Sequence, residues 1–299
     1  MQHFIRTVLC FFLVSISFSG ISQDLFDLFD ESETQTTEYA YATFKTTRVV
    51  NAQSIENPAP GVMLFIVSHH FGKVSDGAYN MFGLDQATMR IGFEYSFNEW
   101  LCLAIGRSTL DKTVDGFAKI KLLRQSSGLR NMPVSVSLFT SMTANGRRWD
   151  EPKRKNYFSS RLAYNYQLLI ARKFSNTLSL QLMPALVHKN LVLTENDRND
   201  IFALGAGARI RITNRVTLNG EYFYVFPGQM SDETLKNSLS AGLDIETGGH
   251  VFQLHFTNSL PMFDSGFITD TRGDWLKGDI YFGFNITRVF TIRKPEAFR

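Results

Sequence analysis

Cysteine is nearly absent, and the little there is falls in the wrong places for cross-linking. Of 299 residues only 2 are cysteines, Cys10 and Cys102. Cys10 sits in an apolar stretch close to the start and follows bulky Leu9, so it lacks the small preceding residue that a lipoprotein cleavage site needs. Once that stretch is read as a leader, Cys102 is left alone. An intramolecular disulfide and a thiolate metal cluster are then both excluded, and a small apolar side chain within a strand is its expected role. Long apolar runs are missing too: beyond the leader nothing approaches the roughly 18 to 20 residues of a membrane-spanning helix. Charge of one sign is also lacking. A net charge of +3 with no basic stripe and no interleaved aromatics gives nucleic acid nothing to hold.

What the chain does have is alternation. After Arg6, the apolar residues from Val8 to Phe18 and the small pair Gly20 and Ser22 read as a signal peptide over 1–22, cut after Ser22. Period-two patterning then predicts strands near 62–71, 87–97, 101–109, 116–125, 134–143, 160–172, 177–189, 201–212, 215–226, 237–246, 250–259 and 279–290. That makes an all-β fold, a transmembrane antiparallel up-and-down β-barrel of about 12 strands over residues 61–299. A mean hydropathy of -0.10 does not oppose this, because the lumen face of each strand cancels its lipid face in the average. Turn residues at Asn98-Glu99, Ser175-Asn176, Thr213-Asn214 and Thr247-Gly248-Gly249 predict hairpins, alternating with longer polar links at 72–86, 144–158, 190–200 and 260–278. Short turns are expected at the periplasmic side, with both termini beside them.

The faces are legible in two strands. Val216, Leu218, Tyr222, Tyr224 and Phe226 share one side, against Thr217, Asn219 and Glu221. Phe202, Leu204, Ala206, Ala208, Ile210 and Ile212 likewise oppose Ala203, Gly205, Gly207, Arg209 and Arg211. The apolar sets are expected to meet lipid, with Tyr95, Phe97 and Trp100 near one interface and Tyr222, Tyr224 and Phe226 near the other. A soluble sandwich also alternates. Strand length, the alternation of short and long links, and Gly, Ser, Arg and Glu on the polar face favour a barrel with a wet lumen.

Residues 23–60 stand apart as a periplasmic N-terminal segment. Asp24, Asp27, Asp30, Glu31, Glu33 and Glu38 make its first part acidic and expected to be flexible. From Thr43 to Glu56 the chain is more patterned than a tail requires, and it is expected to fold into or against the lumen as a plug.

Phe44 to Glu56, the Gly61 to Gly72 strand ending Ser68-His69-His70-Phe71-Gly72, Phe82-Gly83-Leu84-Asp85-Gln86-Ala87, Gly106-Arg107-Ser108 and Gly116-Phe117-Ala118-Lys119 together resemble the uncharacterised β-barrel family of Bacteroidota outer membranes, a domain of unknown function. The resemblance runs through most of the mature chain. It implies an outer-membrane barrel and brings no activity, substrate or catalytic residue. His70 departs from it, standing where an Arg would be expected in such relatives.

Chemical motifs are sparse. Gly205-Ala206-Gly207 lies mid-strand with no helix after it, so it reads as small lumen residues and not as a phosphate loop. Adjacent His69 and His70 point to opposite faces of a strand and cannot chelate one metal together. No nucleophile elbow and no His-Glu-x-x-His helix occurs, so no catalytic residue, metal site or cofactor is expected. The charges assigned to inward faces are Arg90, Glu94, Lys119, Lys121, Arg161, Arg209, Arg211, Glu221, Asp244, Glu246 and His255. Either Arg209 and Arg211 bridge to Glu221, Asp244 and Glu246 and the network fills the lumen, or some charges stay solvated and select solutes. The leading expectation is a narrow or gated outer-membrane solute pore. The alternatives are a non-transporting scaffold displaying Asn145 to Trp149 and Asp264 to Trp275 to a partner, and a membrane-embedded enzyme. Expected contacts are outer-membrane lipid and a small solute, with no nucleic acid; a protein partner is left open.

Overall fold

The computed structural model describes residues 36–248 and 250–294; the leader, its cleavage point and the acidic residues from Asp24 to Glu33 lie outside them. The strands in chain order are β1 (Thr37–Tyr39), β2 (Val62–Lys73), β3 (Ala87–Ser96), β4 (Leu101–Ser108), β5 (Val114–Leu123), β6 (Ser126–Gly128) and β7 (Ser135–Ala144). They continue with β8 (Leu162–Lys173), β9 (Leu178–Lys189), β10 (Asp200–Arg211), β11 (Val216–Val225), β12 (Leu239–Thr247), β13 (His250–Thr257) and β14 (Tyr281–Thr291). Twelve of them close into one antiparallel barrel in which β14 pairs with β2, β5 pairs with β7 past the short β6, and every other contact joins consecutive strands. β1 and β6 form a separate two-stranded ribbon, too short to carry a period in the sequence.

Side-chain oxygens close the tight turns. Asn98 Oδ1 accepts from the backbone N–H of Trp100 and Leu101, Ser175 Oγ from Thr177 and Leu178, and Thr213 Oγ1 from Arg215 and Val216. These residues substitute for ladder bonds at the bend, which is why Asn, Ser and Thr occupy those places. One proline interrupts the wall. Pairing between β8 and β9 skips Leu168 and Leu169, the positions opposite Pro184 and Met183, where proline has no N–H to offer.

The apolar face points outward. Ile210, Leu218, Leu243, Leu254, Phe284, His69 and Met89 lie side by side across β10 to β14, β2 and β3, and the leucines among them are about two-fifths exposed. His69 lies in this row and stacks on Phe284 with ring centroids 5.0 Å apart. No helix among the described residues is long and apolar enough to cross a membrane.

The interior is not uniformly polar, against the expectation of a wet lumen. Phe117, Phe139, Leu169, Met183 and Phe223 point inward from β5, β7, β8, β9 and β11 and are buried in one apolar cluster with Phe44, Val49, Ala52 and Ile55. Between β13 and β14, the short helix α1 (Asp264–Thr269) adds Phe267 and Ile268 to the same cluster, Phe267 meeting Phe223 edge-on at 5.2 Å. All six residues of α1 are buried, so the first part of the Asp264 to Trp275 loop is folded inward and not displayed.

Candidate functional site

Residues 43–56 enter and leave the barrel at the short-turn end. Lys45 Nζ donates to Asn214 O at 2.9 Å in one short turn and pairs with Glu246 at the rim. The segment folds on itself: Ser54 N donates to Thr47 O at 2.9 Å and Val49 N to Ala52 O at 2.8 Å, placing a tight turn at Val50 and Asn51. The tip is seized by a single carboxylate. Glu221 accepts from the backbone N–H of Val50 at 3.0 Å, of Asn51 at 2.8 Å and of Ala52 at 3.0 Å. Three consecutive N–H groups converging on one anion form a concave donor nest, and the charge-assisted bonds are stronger than neutral ones.

The rest of the segment is held the same way, wall side chain to segment backbone. Gln181 donates to Gln53 O at 2.7 Å, Gln253 to Val49 O at 2.8 Å, Asn285 to Val50 O at 3.3 Å, and Lys119 Nζ to Ser54 O and Glu56 O at 3.1 and 2.6 Å. Arg209 Nη1 donates to Ala42 O and Thr43 O at 3.0 and 3.2 Å. Arg48 of the segment lies 3.6 Å from Glu94 on β3. Wall residues also bond each other: Gln253 donates to Asp244 and Asn285 to Gln253, each at 2.6 Å, while Arg90 pairs with Asp115.

Among the residues assigned to inward faces from the sequence, Arg90, Glu94, Lys119, Arg209, Glu221, Asp244 and His255 are buried inside the wall. Lys121 is partly buried, and Arg211 and Glu246 are exposed towards the strand ends at the short turns. Arg161 stands elsewhere. It lies in the turn Phe158–Arg161 ahead of β8, donates to Asn145 O at 2.7 Å and sits 3.9 Å over the Trp149 ring, so it anchors the 145–161 loop. The bridges between Arg209 or Arg211 and Glu221, Asp244 or Glu246 are not formed. Arg209 and Glu221 both turn to the backbone of the inner segment instead, because that backbone offers carbonyls and N–H groups where a neighbouring strand offers none free.

The sequence reading did not reach Asp115, Gln181, Gln253 and Asn285, nor the approach of His70 to His255. An amide on a strand carries no signature by type alone; the one available signal was that each falls on the inward parity. Outside the strands, burial pushes the Asp264 carboxyl of α1 up to about 6, against the opposing pull of Arg48 and Arg90.

A closed antiparallel sheet whose apolar side chains face outward, with its polar and charged residues turned in on a segment of its own chain, defines a membrane-embedded β-barrel with an occupied lumen. A family model described as Membrane bound beta barrel domain (DUF5777) matches residues 44–290. The chain belongs to that family. No curated protein matches it. Among solved structures it is similar to the NanC porin, at 8% identity and a TM-score of 0.49 over 75% of this chain and 98% of that one. It is also similar to an outer membrane channel from Pseudomonas putida F1, at 9% identity and 0.48 over 79% and 97%, and to the KdgM porin, at 9% and 0.44 over 77% and 98%.

Proposed function

We propose that the protein is a gated solute pore of the outer membrane, reached by way of a signal peptide cut after Ser22, with its short turns in the periplasm and its lumen closed at rest by residues 43–56. One observation carries this reading. The wall is a complete ring of twelve paired strands that takes no strand from the inner segment, so that segment can leave without costing the barrel a ladder bond. Its attachments are mostly side chain to backbone, centred on Glu221, and water can replace each of them as the segment withdraws. The passage then uncovered would be lined on one flank by Arg90, Glu94, Lys119, Arg209, Glu221, Asp244 and His255 and on the other by the inward aromatics.

The test is planar-bilayer conductance of refolded mature protein. The intact chain is expected to be closed for most of the record, and a variant lacking residues 43–56 to conduct steadily. Silence from both would remove the pore reading. It would leave the scaffold, which the buried apolar cluster favours because it packs the lumen like the interior of a soluble domain. The face presented would then be the exposed loop around Arg147 and Arg148.

A further inference from the structure

One link between strands carries a charge unlike the rest. Residues 145–161, which join β7 to β8, hold six cations, Arg147, Arg148, Lys153, Arg154, Lys155 and Arg161, against Asp150 and Glu151. The other long links lean the opposite way: 74–86 has two acidic residues and no basic one, 190–199 and 226–238 each have two and one, and 258–280 has four and two. Positive charge at the long-loop end is therefore gathered on one flank of the rim.

The wall beside this link supplies a further cation, on the side that meets lipid. Arg107 is next to last in β4, shares the outward parity of Leu103 and Ile105, and is exposed as they are. Level with it are Val114 of β5 and, one strand further, Ala144 of β7. Two strand spacings, about 10 Å, thus separate Arg107 from the residue after which the basic link begins. The link is pressed onto the hairpin between β4 and β5: Gly146 N donates to Asp111 O at 3.0 Å, and a Cβ on Gly146 would lie 2.4 Å from Lys112 O. Arg147 reaches Asp111 at 3.6 Å, whereas among the described residues no ion pair involves Arg107, Arg148, Lys153 or Arg154. Tyr157 and Phe158 of the same link are more than half exposed, and Lys155 Nζ lies 5.1 Å over the Tyr157 ring. A guanidinium on a lipid-facing strand is tolerated near the membrane interface, where anionic head groups can meet it, and aromatic residues beside it mark the same depth.

We infer that Arg107 and the basic link from Arg147 to Lys155 form a docking surface for the phosphorylated head groups of glycolipid in the outer leaflet of the membrane. Guanidinium forks take phosphate oxygens in pairs, and the lysines add point charge. A lipid is the occupant, and not a soluble anion, because Arg107 stands on the outward face, where a molecule embedded beside the barrel meets both it and the link. The inference goes beyond the pore reading and stands whether or not the barrel conducts; it rests on that reading only for the placement of the long loops outside.

The probe is lipid A bearing both phosphates, added to refolded mature protein in nonionic detergent and followed by native mass spectrometry. Retention of at least one lipid per chain is expected. Its affinity is expected to fall about tenfold or more when Arg107→Gln is combined with Arg147→Gln and Arg148→Gln, and again when Lys153→Gln, Arg154→Gln and Lys155→Gln are combined. Lys236→Gln with Lys277→Gln, which removes exposed cations from two other long links, is expected to change nothing. Dephosphorylated lipid A is expected to bind at least about tenfold more weakly, and millimolar inorganic phosphate to leave the lipid in place. Equal binding by the parent and both triple variants, or equal binding of the two lipids, overturns the inference. Displacement by inorganic phosphate overturns it too, and gives the surface to a soluble anion. Heat-modifiable migration in SDS shows that each variant has kept its barrel, so a loss of lipid is read on folded protein. The topology is read separately by Lys153→Cys, labelled on intact cells with a membrane-impermeant maleimide, since Cys102 is buried. Absence of label overturns the placement of the long loops outside and the outer-leaflet source with it, whereas labelled cells whose purified barrel retains no lipid overturn this inference alone.

Discussion

At the scale of single residues, Glu221 concentrates the hold on the inner segment. Removing its carboxylate leaves the N–H groups of Val50, Asn51 and Ala52 buried without an acceptor, and each such loss costs about 1 to 3 kcal/mol. Glu221→Ala is expected to raise the open fraction in a planar bilayer several-fold while the barrel keeps its heat-modifiable migration in SDS. An unchanged record would show that the apolar contacts alone hold the segment. Glycines on β10 supply a second residue-scale test. A Cβ on Gly205 would fall 2.5 Å from the Phe223 ring, whereas one on Gly207 would reach only 3.3 Å from Val49. Gly205→Ala is expected to destabilise by about 1 to 3 kcal/mol through overpacking, and Gly207→Ala by clearly less. Equal losses in urea-induced unfolding would mean that the Phe223 cluster is looser than described.

Elements were the most legible scale. Each of the twelve barrel strands was visible as a period-two run, because one face meets lipid along its whole length and tolerates few polar residues. The ends were less well marked. β2 runs on to Lys73 and β5 begins at Val114, since ladder bonds continue past the point where the pattern stops. Apolar residues at inward positions, such as Phe139 and Phe223, are not legible from the pattern, because the alternation rule assigns that face to water. The partners of the inner segment could not be read at all. Asn51 and Glu221 are 170 positions apart, and only closure of the ring sets them together. Loops carry their own ties. Asp197 accepts from the N–H and O–H of Ser231 and of Thr194, which joins the 190–199 and 226–238 links and holds its carboxyl down at about 2. A depressed acid stabilises above its ordinary value of 3.8, and that contribution is lost as pH falls through about 2. Hydrogen exchange in both loops is therefore expected to show constant protection from pH 8 to about 4 and to lose it below about 3, while Asp197→Ala shows the loss at neutral pH. Protection that survives in Asp197→Ala would assign the tie to other contacts. Phe267→Ala is expected to free α1 from Phe223, at about 3 to 5 kcal/mol, and to open the 258–280 loop to protease without dissolving the barrel.

For the whole molecule the governing fact is the direction in which the leucines point. Leu218 and Leu243 are paired on the outer face of β11 and β12. Leu243 stands at the middle of β12, and Leu243→Arg is expected to cost about 2 to 4 kcal/mol in refolding equilibria measured in bilayers, as a cation at mid-membrane does. A change near zero would place that face against water or protein. The inner segment, finally, remains covalently joined to β2 through residues 57–61, and both of its arms pass through the same mouth. A displaced tip is therefore never lost to solution. On the proposed gating it would stay at an effective concentration of about millimolar over its own seat, so that resealing is intramolecular and needs no second protein, and an opening is brief unless something captures the loosened chain.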